Sequence, residues 1–380
     1  MRLIKGSYGR LNAMANQETA SLQGQINSLE AMLGALLRAQ YGVLDFVRRM
    51  QGDALSAFGL GPNECPYRVI ASGQHWRLRD YSDSPASRGL LIVAAPIKRP
   101  YIWDLTPSIS PLRYCLTQRF GVYLLEWLPA SLGIINNGLD EYASAISECV
   151  ATVSNSIRGA KPFMIGHSLG GTLAAIASAL APDSIQALVL LGTPLCFEPG
   201  RSRFRDTLVS LVPQTLSEGR PVPGSLLSQV SVLASPATFI WSRLADAALS
   251  ATDRYARDIH ARVERWALDE APLPGKLVHE MVEWLYRENR LCRGALEVCN
   301  VRVGPFRLSV PTLAVVNTAD EVAPLASVKP FIEAMPTNDV RIVQFPGETG
   351  VGLQHLGILV GRQAHAQLWP EIIVWLNSHI

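Results

Sequence analysis

Apolar residues follow two rhythms in this chain. Leu22, Ile26, Leu29, Leu33, Leu36, Leu44 and Val47 recur every three or four positions, with Gln, Asn, Glu and Arg between them. That period predicts an amphipathic helix over about 22–50, or two in succession. The spacing is close to a heptad, so the stripe docks either on the chain's own core or on another helix. Gly24, Gly34 and Gly42 weaken a free-standing coiled coil and favour the first alternative. The run Gly59-Leu60-Gly61-Pro62-Asn63 reads as a linker.

Past it the rhythm changes to short, nearly continuous apolar runs at 90–95, 122–127, 163–165, 187–191, 312–317 and 340–345. Such runs predict strands covered on both faces. Helical spacing separates them at 110–118, 138–156, from Ser168 to about 180, and at 364–377. Strands alternating with helices call for an α/β fold with a mostly parallel sheet flanked by helices. Residues 68–80 alternate weakly and predict an early hairpin strand with its turn at 82–87. Between Gly200 and Gly304 the alternation stops. A block rich in Leu, Ser, Trp and Pro replaces it, with 246–269 predicted as one long helix. Such an insertion between core strands is most simply a helical cap over the sheet edge. The expected division is therefore a helical segment over 1–64, a first part of the core over 65–199, a cap over 200–304 and a second part of the core over 305–380.

Composition narrows the function classes. Charged residues are 17% of 380 and the net charge is +2, so no basic field exists to hold nucleic acid. The hydrophobic fraction of 48% implies deep burial plus an apolar cleft or contact surface, yet the longest apolar runs are too short to cross a bilayer. Cys65, Cys115, Cys149, Cys196, Cys292 and Cys299 are scattered, without Cys-x-x-Cys or Cys/His clustering, and are expected as buried free thiols. Residues 1–17 hold no apolar core of signal-peptide length, so a reducing cytoplasm is the expected location.

The candidate chemistry centres on Phe163-Met164-Ile165-Gly166-His167-Ser168-Leu169-Gly170-Gly171-Thr172. An apolar run ending in Gly-x-Ser-x-Gly and passing at once into helical spacing is the sequence form of a nucleophile elbow. A side chain at Gly166 or Gly170 would collide with the neighbouring strand and helix, and the turn pushes Ser168 out above the sheet edge. The helix then aims its free amides, that of Leu169 first, at an oxyanion beside the serine. A second donor is expected from the loop after the strand over 90–95; Pro96 has no N–H, so Ile97 or a neighbour supplies it. A serine hydroxyl needs a base and a group that orients the base. In the order nucleophile, acid, histidine, Asp320 follows the strand over 312–317 and His355 stands in the glycine-rich loop over 347–357. Glu321 is the substitute acid, and capping of the next helix is the ordinary reading of Asp320. His167 is expected to shape the elbow and not to serve as base.

These residues, with Tyr101-Ile102-Trp103-Asp104-Leu105, Leu190-Leu191-Gly192-Thr193-Pro194, Asn289-Arg290-Leu291-Cys292-Arg293-Gly294-Ala295-Leu296 and Asp320-Glu321-Val322-Ala323-Pro324, form an ordered series over about 65–360. The series resembles polyhydroxyalkanoate synthases, within the α/β-hydrolase superfamily. The resemblance implies an acyltransferase that takes a hydroxyacyl group from coenzyme A onto its nucleophile and passes it to a hydroxyl. Two departures stand out: Ser168 occupies the position of that family's cysteine, and Gln354 precedes His355 where a glycine is usual. The expectation is a Ser168–His355–Asp320 enzyme acting on an acyl thioester of coenzyme A or of an acyl carrier protein, without metal or bound organic cofactor. A carboxylic ester hydrolase and a non-catalytic binding protein that engages a partner or a second copy through its N-terminal helices are the alternatives.

Overall fold

The computed structural model describes Met32, 34–36, 39–83, 86–131, 134–212 and 219–380. Two compact units divide the chain, residues 1–47 and 48–380. In the first, residues 39–47 are helical, and Leu36, Leu44 and Val47 of the amphipathic stripe are exposed. Leu22, Ile26, Leu29 and Leu33 lie outside the described residues.

The second unit is built on one eight-stranded sheet. Its strands are β1 (Arg68–Ser72), β2 (Trp76–Asp80), β3 (Gly89–Val93), β4 (Gly121–Trp127), β5 (Phe163–His167), β6 (Leu188–Leu191), β9 (Thr312–Asn317) and β10 (Val340–Phe345); β7 (Leu296–Val298) and β8 (Val301–Val303) make a separate hairpin. The order is β1-β2-β4-β3-β5-β6-β9-β10. In this sheet β1 and β2 pair antiparallel, as do β2 and β4, and its other pairs are parallel.

Successive residues of each central strand face opposite sides, which splits the interior into two apolar layers. Leu91, Val93, Met164 and Leu190 pack with the helices Leu139–Ser156 and Leu169–Leu180. Leu90, Ile92, Ile165 and Leu191 pack on the other side with Trp103, Leu112 and the helix Trp369–Asn377. Burial on both faces is why these strands read as unbroken apolar runs.

Four expectations are corrected. Residues 68–80 form two strands, because Gly73 donates its amide to Trp76 and turns the chain there, so 82–87 connects onward to β3 and is not the hairpin turn. Residues 246–269 are not one helix. The helix Ser242–Ser250 stops, and Asp253 caps a new one, Arg254–Ala267, by accepting the amides of Tyr255 and Ala256. The expected linker is helical to Leu60, where Gly59 at φ 85° breaks the turn, and 61–67 lack regular structure. Finally, Cys196 and Cys292 are joined in a disulfide, while Cys65, Cys115, Cys149 and Cys299 are free thiols. The partners are 96 residues apart in sequence, a separation that carries no pairing signal, and folding brings their Cα atoms to 5.0 Å.

Between β6 and β9 the chain runs through helices Arg203–Leu211, Gly224–Ala234, Ser242–Ser250, Arg254–Ala267 and Gly275–Glu280 before the β7–β8 hairpin. Leu226, Phe239 and Met281 from this insertion line one cavity with Ser168. Among the described residues no helix is long and apolar enough to cross a membrane.

Candidate active site

β5 delivers the chain to Ser168, which adopts φ 56°, ψ −133° and immediately precedes the helix Leu169–Leu180. A non-glycine residue at positive φ is strained, and here the surroundings fix it. The Ser168 amide donates to Leu191 O at 3.0 Å and its carbonyl accepts Thr172 N at 3.1 Å. No side chain fits at the flanking glycines: a Cβ on Gly166 would lie 2.6 Å from Gly171 Cα, and one on Gly170 would strike the Val93 carbonyl and lie 2.9 Å from Ala95 N. Gly171 is equally constrained, since its Cβ would collide with the Thr193 hydroxyl. The helix amides that begin at Leu169 have no carbonyl one turn back and are open toward the serine.

Asp320 follows β9 and His355 sits in a short turn, Gln354–Leu356, after the β10 loop. Nδ1–H of His355 donates to Asp320 Oδ2 at 2.6 Å, and both side chains are buried. His355 Nε2 is also buried and takes no hydrogen bond from Ser168 or any other described residue. Ser168, Leu169 and His355 line one cavity. Burial works to raise the Asp320 carboxyl, but His355 and the amides of Val322 and Ala323 outweigh it and hold the group below the usual carboxylate range. Asp320 Oδ1 accepts Val322 N at 2.8 Å, so one carboxylate both caps its own turn and orients the imidazole. Glu321 points elsewhere and accepts from Thr238 at 2.6 Å and Ser235 at 3.0 Å in the insertion.

His167 supports the loop. Its Nε2 donates to the carbonyl oxygen of His355 at 2.8 Å, with the two rings 4.7 Å apart. Burial, reinforced by neighbouring His355, pushes its pKa down to about 3, so the ring is neutral. Asn317, the last residue of β9, donates to Gln354 O at 2.7 Å and accepts Ala319 N at 2.9 Å. Sequence reasoning passed over Asn317, although a polar residue closing a fully buried apolar run is a visible signal. Gly192, φ 48°, stands in the series that carries the family resemblance but received no role from sequence reasoning. It lies under the group, its Cβ position 3.5 Å from Asp320 Oδ2 and 3.6 Å from both His167 Nε2 and His355 Cε1. Of the other histidines, His75 stacks on Trp127, His260 pairs with Asp246, His365 bonds Leu359 O and His379 pairs with Asp339.

Ile97 lies in the loop after β3 and lines the cavity, its carbonyl accepting Ala271 N at 3.0 Å. The cavity holds about 460 Å³ and is walled mostly by apolar side chains, among them Leu226, Val230, Phe239, Val278, Met281 and Val282 from the insertion. Arg48, Lys98, Arg99 and Arg243 reach the same wall. Burial lowers Lys98 to about 8, against the pull of Glu270 at 2.8 Å. No group of His, Cys, Asp and Glu among the described residues is arranged to hold a metal ion.

Known proteins resemble this chain in sequence and in fold. The chain is 27% identical to Poly(3-hydroxyalkanoate) polymerase subunit PhaC of Haloferax mediterranei over 324 residues, 83% of this chain and 64% of the relative. It is 24% identical to the protein of that name from Allochromatium vinosum, over 88% of this chain and 96% of the relative. The chain thus spans under two thirds of the Haloferax protein but nearly all of the Allochromatium one, and its resemblance to PhaC-like α/β hydrolases is borne out. Among solved structures, 2-hydroxy-6-oxo-6-phenylhexa-2,4-dienoate hydrolase from Rhodococcus sp. strain RHA1 shares the fold, with a TM-score of 0.52 at 13% identity over 83% of this chain and 99% of that one. The alpha/beta hydrolase fold model matches residues 112–347, which include the elbow and Asp320 and stop eight residues before His355. By that match, and by the strand, turn and helix that present Ser168, the chain belongs to the alpha/beta hydrolase fold family.

Proposed function

We propose that this protein is a serine-dependent acyltransferase or thioesterase that takes the acyl group of a thioester through an acyl-Ser168 intermediate. The observation that carries this reading is the buried His355–Asp320 pair, whose one unpartnered nitrogen shares a cavity with Ser168. Ser168 Oγ attacks the thioester carbonyl carbon while its proton passes to His355 Nε2. Asp320 stabilises the imidazolium, and the amides of Leu169 and Ile97 hold the oxyanion. Collapse breaks the carbon–sulfur bond, and the leaving sulfur takes the proton back from Nε2. A water or a hydroxyl acceptor then loses its proton to Nε2, attacks the acyl ester, and releases Ser168 when the proton returns.

An oxygen ester is more stable than the thioester that loads it, so loading runs downhill and the second step is the harder one. This supports a single transfer or hydrolysis over repeated chain growth. The apolar cavity suits an acyl chain, and the resemblance to polyhydroxyalkanoate synthases makes coenzyme A or an acyl carrier protein the proposed donor. The helical insertion acts as the cap that excludes water from the acyl-enzyme.

The test is incubation with acyl-coenzyme A followed by intact-mass measurement. The expected result is a mass increase of one acyl group on wild-type protein that maps to Ser168 and is absent from Ser168→Ala. Acylation that persists in Ser168→Ala would overturn the assignment. Turnover of simple oxygen esters with no acylation by any thioester would move the protein to the carboxylic ester hydrolases.

A further inference from the structure

The β6–β9 insertion grips the histidine loop through a second Asp–His pair. Asp246, on the helix Ser242–Ser250, is 6% exposed. Its Oδ1 accepts the amide of Gly350 at 2.7 Å, and its Oδ2 accepts the amide of Gly352 at 2.8 Å. His260, on the helix Arg254–Ala267, donates Nδ1–H to the same Oδ2 at 2.8 Å. The two glycines lie five and three residues before His355, at φ 86° and 69°. A Cβ on Gly350 would sit 2.7 Å from Ala256 Cβ, and one on Gly352 2.8 Å from Val263 Cγ1, so the second helix lies directly on the loop backbone. The far end of the loop is tied to the core. Gln354 exchanges two hydrogen bonds with the backbone of Glu348, and Asn317 and His167 hold the carbonyls of Gln354 and His355. Between these ties the loop amides rest on one buried carboxylate contributed by the insertion.

We propose that Asp246 is a positioning residue for His355: by gathering the amides of Gly350 and Gly352 it makes seating of the insertion and placement of the catalytic imidazole a single event. The inference rests on the Ser168–His355–Asp320 reading. It goes further by giving the insertion a part in assembling the site as well as covering it. The insertion then does not lift at this end during turnover.

The experiment compares full-length wild type, Asp246→Asn and His260→Leu in hydrogen exchange across 347–357, in the rate at which a fluorophosphonate modifies Ser168, and in kcat and KM for acyl-coenzyme A. Asn keeps an acceptor for one amide but turns an NH₂ toward the other. Asp246→Asn is expected to speed exchange across the loop and to slow both phosphonylation and kcat by about 10²-fold, the cost of a misplacement near 1 Å. KM stays within about threefold. His260→Leu leaves both amide bonds and gives a smaller loss in the same direction. It also decides the matter if Asp246→Asn does not fold. A folded variant with wild-type loop exchange and wild-type labelling would overturn the proposal, as would a raised KM at unchanged kcat, which would make Asp246 part of the binding wall. If wild-type Ser168 is not labelled at all, the triad reading fails, and loop exchange alone decides whether Asp246 holds the loop.

Discussion

His167 shows how much of the site rests on a residue that does no chemistry. Its ring is neutral in the fold, yet the same imidazole in an unfolded chain binds a proton near pH 6.5. Between about pH 6.5 and 3 the unfolded state therefore holds more protons than the folded one, and stability falls as pH falls through that window. His75 and His365, lowered by burial as well, act in the same direction. Asp320 contributes lower down: its carboxyl is depressed, so the stability it lends is present above the ordinary carboxylate range and goes as pH drops through its folded value. Replacing His167 by Gln, a neutral donor for the His355 carbonyl, is expected to flatten the acid limb between pH 6 and 4 in urea titrations. An unchanged slope would mean that the ring is not the proton-linked group.

At this scale the sequence was informative wherever order along the chain carried the signal. Ser168, Asp320 and His355 follow one another as the elbow chemistry requires, and each stands at the C-terminal end of a strand that its apolar run made visible. Glu321, one position from Asp320, was separable only by folding, which turns it toward Thr238 and Ser235. Asp246 was invisible because its partners are backbone amides more than a hundred residues away.

Among elements, the elbow is the most constrained join. Gly170 faces backbone on the neighbouring strand, which cannot yield as the end of a flexible side chain would. Gly170→Ala is expected to destabilise the fold by about 3 kcal/mol or more, read as a lowered urea midpoint. A change within about 0.5 kcal/mol would show that β3 and the helix Leu169–Leu180 can separate at low cost. The parallel core strands were legible because burial on both faces writes an unbroken apolar run. The β7–β8 hairpin was not, since three-residue strands are too short to show a period. The break at 251–253 was missed for a related reason: an aspartate cap inside a polar, helix-compatible stretch looks like one more surface residue until its two amide bonds are seen.

In the molecule as a whole, the insertion is fixed at both of its roots. Cys196 leaves the core just after β6 and Cys292 precedes the β7–β8 hairpin, and Asn289 adds a hydrogen bond to Phe197 N at 2.8 Å. In the chain-entropy description, a closed loop of this length lends about 4.7 kcal/mol. Cys292→Ser is accordingly expected to lower unfolding stability by up to about that amount while the hydrogen bond keeps the roots together. An unaltered midpoint under non-reducing conditions would show that the bridge does not form in solution. The bond also makes the polypeptide topologically a ring with two tails. A protease that cuts once anywhere between 197 and 291 leaves both fragments tethered, so nicked protein migrates at full mass on a gel until thiol is added and only then resolves into two bands.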